Sequence, residues 1–166
     1  MNLDCLLQDY KLWKNTNEYF TAFDYLGLKC NSEQIFTVSK LFFPDVSIVA
    51  DCFFLNDSRQ KTEFDVFWKN AVTAADLEKV MNFVCLNNIV KSEADDNFFI
   101  NKEIITIMKQ SWEMYFSKKY KNLNLIIEDY EDKYDGWSIT VYQRDNLTRA
   151  KPCIDNLSIY FNRSKT

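Results

Sequence analysis

The chain has only two glycines, Gly27 and Gly136, and two prolines, Pro44 and Pro152, in 166 residues, and it has no histidine. Glycine-rich turns are the usual way to bring backbone N–H groups close to a phosphate. Histidine is the commonest metal ligand and the usual proton shuttle near neutral pH. The sequence therefore argues against most standard routes to catalysis and nucleotide binding, and binding becomes the better default function.

Length and composition favour one folded domain over residues 1–166. Hydrophobic residues make up 47% of the chain and aromatic residues 16%, so material for a core is plentiful. The net charge is −4. Tight nucleic-acid binding normally needs a basic face, so no nucleic-acid partner is expected. An acidic surface suits a basic protein partner or simply solubility.

The cysteines give no sign of a metal site or of catalysis. Their number is odd and no C-x-x-C pair occurs, so without histidine a zinc site is improbable, and we expect no metal, no cofactor and no disulfide. A catalytic cysteine usually relies on an adjacent base, most often histidine, so no enzyme activity is expected. No signal peptide or apolar run of about 20 residues is visible, which predicts a cytoplasmic protein with no membrane partner. The cysteines are Cys5, Cys30, Cys52, Cys85 and Cys153.

Helical spacing and capping residues organise the N-terminal part of the chain. Apolar residues recur at helical intervals over residues 3–13. A second helix is predicted over residues 16–26, with Asn15 and Glu18 as a capping box and Gly27 as its C-terminal stop. The chain therefore opens with at least two short helices.

A third helix and a strand are predicted next. Asn31 and Gln34 have the spacing of an N-cap, and the helix ends at Pro44. Residues 46–55 form a β-branched and aromatic run that predicts one strand. Asp51 lies inside this run and would share a face with apolar side chains. A carboxylate there needs a hydrogen bond or an ion pair, so a structural role is favoured over a functional acid.

The two central helices are also marked by capping residues. Thr73 and Asp76 fit a capping box before an apolar stripe that runs over residues 77–85. Asn101 is the predicted cap of the longest helix, over residues 102–120. Trp112 and Phe116 lie on the apolar face of this helix, and we expect both to be buried.

From residue 123 the pattern changes to alternation of apolar and polar residues. Strands are predicted over residues 125–130, 137–143 and 154–161, and the first two are joined by a short acidic loop that contains Gly136. Helices first and strands last indicate an α+β fold. The N-terminal and central helices should pack on one face of a C-terminal antiparallel sheet of three to four strands.

The densest group of carboxylates lies in this hairpin, with aromatic residues between them. Such a group can hold Ca²⁺ or Mg²⁺, but the spacing does not match the helix–loop–helix calcium loop. It can also present an anionic, aromatic surface to a basic partner. A solvated turn that keeps an edge hairpin soluble is the commoner explanation of such a run, and it stays open. The candidate partner-binding residues are Glu128, Asp129, Glu131, Asp132, Tyr134, Asp135 and Trp137.

Three short blocks, at residues 41–45, 52–55 and 80–82, resemble a group of small uncharacterised bacterial proteins. The resemblance carries no catalytic signature. In that group the helix often has histidines just after its asparagine, where this chain has Phe83 and Cys85. In size, acidity and α+β make-up the chain also resembles, by type only, bacterial immunity proteins, which neutralise a toxin domain by binding it.

These observations favour a small acidic bacterial protein that binds another protein, as an immunity protein or inhibitor of a toxin domain. Toxin nucleases carry basic clefts, and an acidic surface can associate with such a cleft quickly through electrostatic steering. Two alternatives stay open. One is a small metal-binding protein or enzyme that uses carboxylates alone. The other is a ligand-binding domain with an aromatic pocket between the helices and the sheet.

Overall fold

The computed structural model describes residues 3–56, 69–90, 97–132 and 136–151. Within these ranges the fold is α+β, as predicted, and every strand pairing is antiparallel. Short 3₁₀ helices cover Leu86–Asn88 and Arg144–Leu147. The elements are α1 Leu3–Leu6, α2 Gln8–Thr16, α3 Ala22–Lys29, α4 Ser32–Phe42, β1 Val46–Val49, β2 Cys52–Leu55, α5 Ala74–Met81, β3 Val84–Cys85, α6 Asn97–Lys119, β4 Leu125–Asp132 and β5 Gly136–Gln143.

The helix predicted over residues 16–26 lies further along the chain, as α3. Its capping box is formed by Thr21 and Asp24: the Thr21 N–H donates to Asp24 Oδ2 at 2.8 Å, and the Asp24 N–H donates to Thr21 Oγ1 at 3.3 Å. Gly27 lies inside α3 and does not end it. The reciprocal bonds of Thr21 and Asp24 satisfy free N–H groups at the start of α3. The predicted pair does not cap this helix, because Asn15 lies within α2 and Glu18 lies in the turn after it.

Two other predicted capping boxes are confirmed. At the start of α4, Asn31 and Gln34 exchange side chain to backbone hydrogen bonds of 2.9 Å in both directions. At the start of α5, Thr73 and Asp76 do the same at 2.9 and 3.0 Å. These bonds satisfy the first free N–H groups of each helix, so the starts of α4 and α5 are fixed by local sequence.

The single strand predicted over residues 46–55 is in fact a hairpin. Ala50 and Asp51 have φ angles of 49° and 60°, and Val49 pairs with Cys52 across this two-residue turn. A turn with two left-handed residues matches the twist of a hairpin, but asparagine and glycine usually mark it in a sequence. Asp51 therefore does not share a face with apolar residues. Its side chain is 87% exposed, and Oδ2 lies 3.3 Å from Nη2 of Arg149.

The apolar stripe predicted over residues 77–85 is divided between a helix and a strand. Helix α5 ends at Met81, and Val84 and Cys85 pair with Ile139 and Ser138 of β5. The third described strand of the sheet is therefore β3, which comes from the middle of the chain.

The predicted C-terminal hairpin is confirmed. All eight residues of β4 pair with β5, and the strand order is β3-β5-β4. Gly136 opens β5 with a φ of 73°, and a Cβ atom there would lie 2.6 Å from Nδ2 of Asn87. Glycine is the residue that adopts such a φ without strain. The strand predicted over residues 154–161 lies outside the described residues.

Helix α6 covers one face of this sheet, and both aromatic residues predicted to be buried are buried. Trp112 and Phe116 are each 1% exposed, and Nε1 of Trp112 donates to the Leu41 carbonyl oxygen at 2.8 Å. The helix begins at Asn97, one turn before the predicted cap, and Asn101 is buried within it. The main core consists of Phe53, Leu55, Leu86, Ile105, Met108, Trp112, Phe116, Trp137, Ile139 and Val141.

The sequence predicts all helices on one face of the sheet, and this prediction is wrong. Oγ1 of Thr140 donates to the Lys79 carbonyl oxygen at 2.7 Å, so α5 contacts the face opposite α6. Alternation places Thr140 on the opposite face from Ile139 and Val141, which belong to the main core with α6.

Asn82, the residue that directly follows α5, joins the two sheets. Oδ1 of Asn82 accepts the Leu55 N–H of β2 at 2.8 Å. Nδ2 donates to the carbonyl oxygens of Phe53 and Val141, at 2.8 and 2.7 Å. The amide of one fully buried side chain thus bonds the backbones of β2 and β5, which are not paired with each other.

Glu78, one turn earlier on α5, extends this connection. Oε1 accepts the Phe53 N–H of β2 at 2.7 Å, and Oε2 accepts the Gln143 N–H of β5 at 2.7 Å. Oε1 also accepts from the side-chain amides of Gln143 and Asn146, each at 2.8 Å. The side chains of Glu78 and Asn82 therefore connect the backbones of β2 and β5.

Candidate functional site

The carboxylates of the candidate surface lie on both faces of β4, because side chains alternate along a strand. Asp129 and Glu131 share the face that α6 covers, since Ile127 on that face packs against the core. Glu128 and Asp132 lie on the opposite face. Residues 129–132 are exposed, whereas the first four residues of β4 are partly buried. The exposed carboxylates are therefore concentrated at the end of β4.

Glu128 is held in a cluster of two tyrosines and a lysine. The Tyr142 hydroxyl donates to Glu128 Oε1 at 2.8 Å, and the Tyr130 hydroxyl donates to Oε2. Nζ of Lys79 lies 3.7 Å from Oε2 and 4.2 Å from the centre of the Tyr142 ring. The carboxylate of Glu128 thus accepts two phenolic hydrogen bonds beside an ammonium group.

This cluster keeps Glu128 ionised and both phenols protonated. Burial works against ionisation of Glu128, but the hydrogen bonds from Tyr130 and Tyr142 and the charge of Lys79 together lower its pKa. Burial, followed by the hydrogen bond and the negative charge of Glu128, raises the pKa of both Tyr130 and Tyr142. Near neutral pH the carboxylate of Glu128 is therefore a hydrogen-bond acceptor, and the two phenols are its donors.

The remaining described carboxylates of β4 differ in their surroundings. Oδ1 of Asp129 lies 2.5 Å from Nζ of Lys109 on α6, with both side chains about one third exposed. Glu131 and Asp132 are exposed at the end of the strand. Among the described carboxylates of the predicted surface, Glu128 is partly buried and Asp129 is paired with Lys109. Glu131 and Asp132 are therefore the two that a partner could reach at the end of the strand.

Trp137 does not contribute to this surface. Its side chain is 8% exposed and belongs to the main core, and Nζ of Lys102 lies 5.6 Å from the centre of its ring. Strand alternation turns this residue toward α6, so its replacement should destabilise the fold and leave a partner's contacts intact. Tyr134 and Asp135 lie outside the described residues.

The N-terminal helices expose a second kind of surface, which is apolar. Monomeric proteins rarely expose large contiguous apolar patches, and such patches often mark interaction sites. An open groove of about 640 Å³ lies here, between the turn after α2 and α3. The exposed large apolar residues of this part are Leu12, Trp13, Tyr19, Phe23, Leu26, Leu28, Ile35, Phe36, Val38 and Phe43.

Cys30, Cys52 and Cys85 form no disulfide, and the environment of Cys52 does not favour reactivity. Cys30 is partly buried, and Cys52 and Cys85 are buried. Burial, reinforced by the negative charge of Glu78, raises the pKa of the Cys52 thiol to about 12. Because the thiolate is the nucleophilic form, Cys52 is unsuited to nucleophilic catalysis.

Among the described residues, no three histidine, cysteine, aspartate or glutamate side chains are grouped so that they could hold a metal ion. Within the same ranges, no helix has both the length and the apolar character needed to cross a membrane. Comparisons with protein-family models, with curated proteins and with solved structures gave no match to this chain.

The most unusual polar group was not predicted from the sequence. Glu78 and Asn82 are both 0% exposed, and burial of Glu78 outweighs its hydrogen bonds and raises its pKa. Ala74, Leu77 and Met81 are buried on the same helix. The intervals between these five residues are those of one helical face, so periodicity could have placed Glu78 and Asn82 on the buried side of α5.

Proposed function

We propose that this chain acts by binding another protein, and that the end of β4 contacts a basic surface of that partner. The observation that carries the proposal is the geometry of β4. Its exposed half ends in Glu131 and Asp132, while Glu128 and Asp129 are fixed by hydrogen bonds and by ion pairs with lysines. Fixed carboxylates lose little conformational entropy when a partner binds.

The partner we propose is a basic toxin domain, which the chain would neutralise in the manner of an immunity protein. A net charge of −4 and a strand rich in carboxylates are complementary to a cationic cleft. The apolar surface of the N-terminal helices supports a protein partner more generally, because such surfaces are typical of interaction sites. The buried thiol of Cys52 argues against a nucleophilic cysteine at that position.

The test begins with capture of the partner by the wild-type chain in its native host, followed by measurement of binding rates at two salt concentrations. The Glu131→Lys/Asp132→Lys variant should associate about tenfold more slowly at low salt, with a weaker salt dependence. Its dissociation rate should change much less, because exposed charges mainly affect association. For a toxin, coexpression of the wild-type chain should restore growth.

A matched control is Glu33→Lys/Glu113→Lys, which changes the net charge equally at exposed positions on α4 and α6. If this control slows association as much as the β4 variant does, net charge alone explains the effect. If the β4 variant binds with wild-type rates at both salt concentrations, the end of β4 is a solvated strand end and the binding surface lies elsewhere.

A further inference from the structure

The carboxylate of Glu78 is surrounded by hydrogen-bond donors. Its four bonds come from the N–H groups of Phe53 and Gln143 and from the side-chain amides of Gln143 and Asn146. An ionised carboxylate only accepts hydrogen bonds, whereas a protonated one must also donate. The arrangement in the structure therefore fits the ionised form, and protonation would leave a buried O–H facing donors.

Gln143 connects this carboxylate to the turn of the first hairpin. Its Nε2 donates to Glu78 Oε1 at 2.8 Å and to the Asp51 carbonyl oxygen at 2.7 Å. The same carbonyl oxygen is also reached by Nδ2 of Asn146 at 3.4 Å and Nη1 of Arg149 at 3.5 Å. Of these three bonds to the Asp51 carbonyl oxygen, the one from Gln143 is the shortest.

The other ionisable groups around Glu78 do not neutralise it directly. Arg149 bonds to the turn and to Asn146, and its hydrogen bonds do not include the Glu78 oxygens. Cys52 on β2 is a buried thiol. On α5, Asp76 caps the helix and Lys79 contacts the Glu128 cluster, which also contains Tyr142 of β5. The remaining ionisable groups on the packed elements are Asp51 in the turn and Arg144 and Asp145, exposed on the 3₁₀ helix.

We propose that Glu78 and Gln143 form a proton-dependent latch on the β1–β2 turn. When Glu78 takes up a proton from solvent, the side-chain amide of Gln143 turns over. Its Oε1 then accepts the new O–H of Glu78, and its Nε2 no longer donates to the Asp51 carbonyl oxygen. Release of this bond loosens the turn at Ala50 and Asp51, while the neutral amide of Asn82 continues to hold Leu55 and the end of β2.

Two observations support a transition in an accessible pH range. Burial raises the pKa of Glu78 above its ordinary value of 4.5, against the effect of its four hydrogen bonds. Ala50 and Asp51 both have φ angles in the left-handed region, which residues other than glycine adopt at an energetic cost. A turn under this strain depends on outside hydrogen bonds, so loss of one should be measurable.

The test is a pH titration of the intact chain by NMR, which follows the Glu78 carboxyl carbon and the Gln143 side-chain amide. Both signals should move with one midpoint above 4.5. On the acidic side the hydrogen-exchange protection factor of the Phe53 amide, which bonds to Glu78, should fall by about two- to tenfold. The Leu55 amide, which bonds to Asn82, is the internal control and should keep its protection.

A second arm uses two variants. Glu78→Gln should abolish the transition of the Gln143 amide, whereas Glu128→Gln should leave it at the wild-type midpoint. If Glu78→Gln fails to fold, the shared midpoint in the wild-type chain still decides the matter. A Gln143 amide that stays unchanged while the Glu78 carboxyl carbon titrates overturns the proposal, as does equal loss of protection at Phe53 and Leu55.

Discussion

The indole Nε1 of Trp112 donates a hydrogen bond of 2.8 Å to the Leu41 carbonyl oxygen, which connects the middle of α6 to the last turn of α4. A helix leaves its last carbonyl groups without intrahelical partners, so this bond satisfies one of them. The same indole fills part of the main core. Trp112 therefore contributes both by burial and by holding α4 to α6.

Trp112→Ala should lower the free energy of unfolding by about 3–5 kcal/mol, because it leaves a large cavity and an unsatisfied carbonyl group. Trp112→Phe keeps most of the buried volume but loses the hydrogen bond, and it should cost less than the alanine variant. Chemical denaturation measures both values. Met114→Ala, at an exposed position of the same helix, should change stability by less than about 0.5 kcal/mol.

Asn82→Ala should lower the free energy of unfolding by about 3 kcal/mol or more, because three buried backbone groups would lose their partner. The loss should appear as early exposure of β2 in hydrogen exchange. Asn88→Ala removes the same atoms at an exposed position in the 3₁₀ helix and serves as the matched control. Equal stability of the two variants would show that Asn82 does not hold the sheets together.

Ala50→Asn should stabilise the chain by about 0.5–1 kcal/mol, because asparagine tolerates the left-handed conformation better than alanine. Ala50→Val should have the opposite effect, since a β-branched residue fits a positive φ poorly. Thermal melts of the two variants beside the wild type measure the difference. Two variants that shift the melting temperature in the same direction would contradict a left-handed turn at this position.

How far the fold could be predicted depends on whether its signals are local. Asn31 with Gln34 and Thr73 with Asp76 act within a single helical turn, so their sequence spacing is sufficient. The turn at Ala50 and Asp51 was not predicted because alanine is not a usual turn residue and the pair lacks the glycine that normally marks such a turn. Tertiary hydrogen bonds hold the turn instead.

The geometry of the candidate surface could be predicted only in part, because strand alternation is a local signal and helix packing is not. Alternation identified β4 and β5 but could not say which of their faces α6 covers, so Trp137 was assigned to the surface although it lies in the core. Glu78 was passed over because a glutamate in a helix usually faces solvent. Its partners lie 25 and 65 residues away in the chain, beyond the reach of any local pattern.

The stability that Glu128 provides should disappear at acid pH. Its pKa is lowered in the folded state, so the contribution is present above the ordinary value of 4.5 and is lost as the pH falls through the folded value. Tyr142→Phe removes one of the donors and should raise the pKa of Glu128. Because the side chain is about one third exposed, the stability lost near neutral pH should be only about 0.5 kcal/mol.

This effect is measured by chemical denaturation across the acid range and by the NMR titration of Glu128. Tyr19→Phe, which removes an exposed hydroxyl, is the control. If the pKa of Glu128 is the same in Tyr142→Phe as in the wild type, the hydrogen bond from Tyr142 does not stabilise the carboxylate.

Removal of metal ions or reduction of disulfides should leave the melting temperature unchanged. The reason is that Cys30, Cys52 and Cys85 form no disulfide. In addition, the carboxylates of Glu78, Glu128 and Asp129 are held by amides, by tyrosines and by a lysine, respectively. Thermal melts with EDTA and with a reductant test this in parallel with untreated protein. A fall of several degrees with EDTA would instead favour the carboxylate-based metal protein.

Because two side chains join β2 to β5, the architecture limits which residues can change in related chains. A related chain could exchange most core residues for others of similar volume and still fold in the same way. It could not easily lose the hydrogen-bonding groups at positions 78 and 82, since five backbone groups depend on them. Distant relatives should be recognised by an acid near the end of a short helix and an amide four positions later, directly after that helix, between a β-hairpin and a long helix.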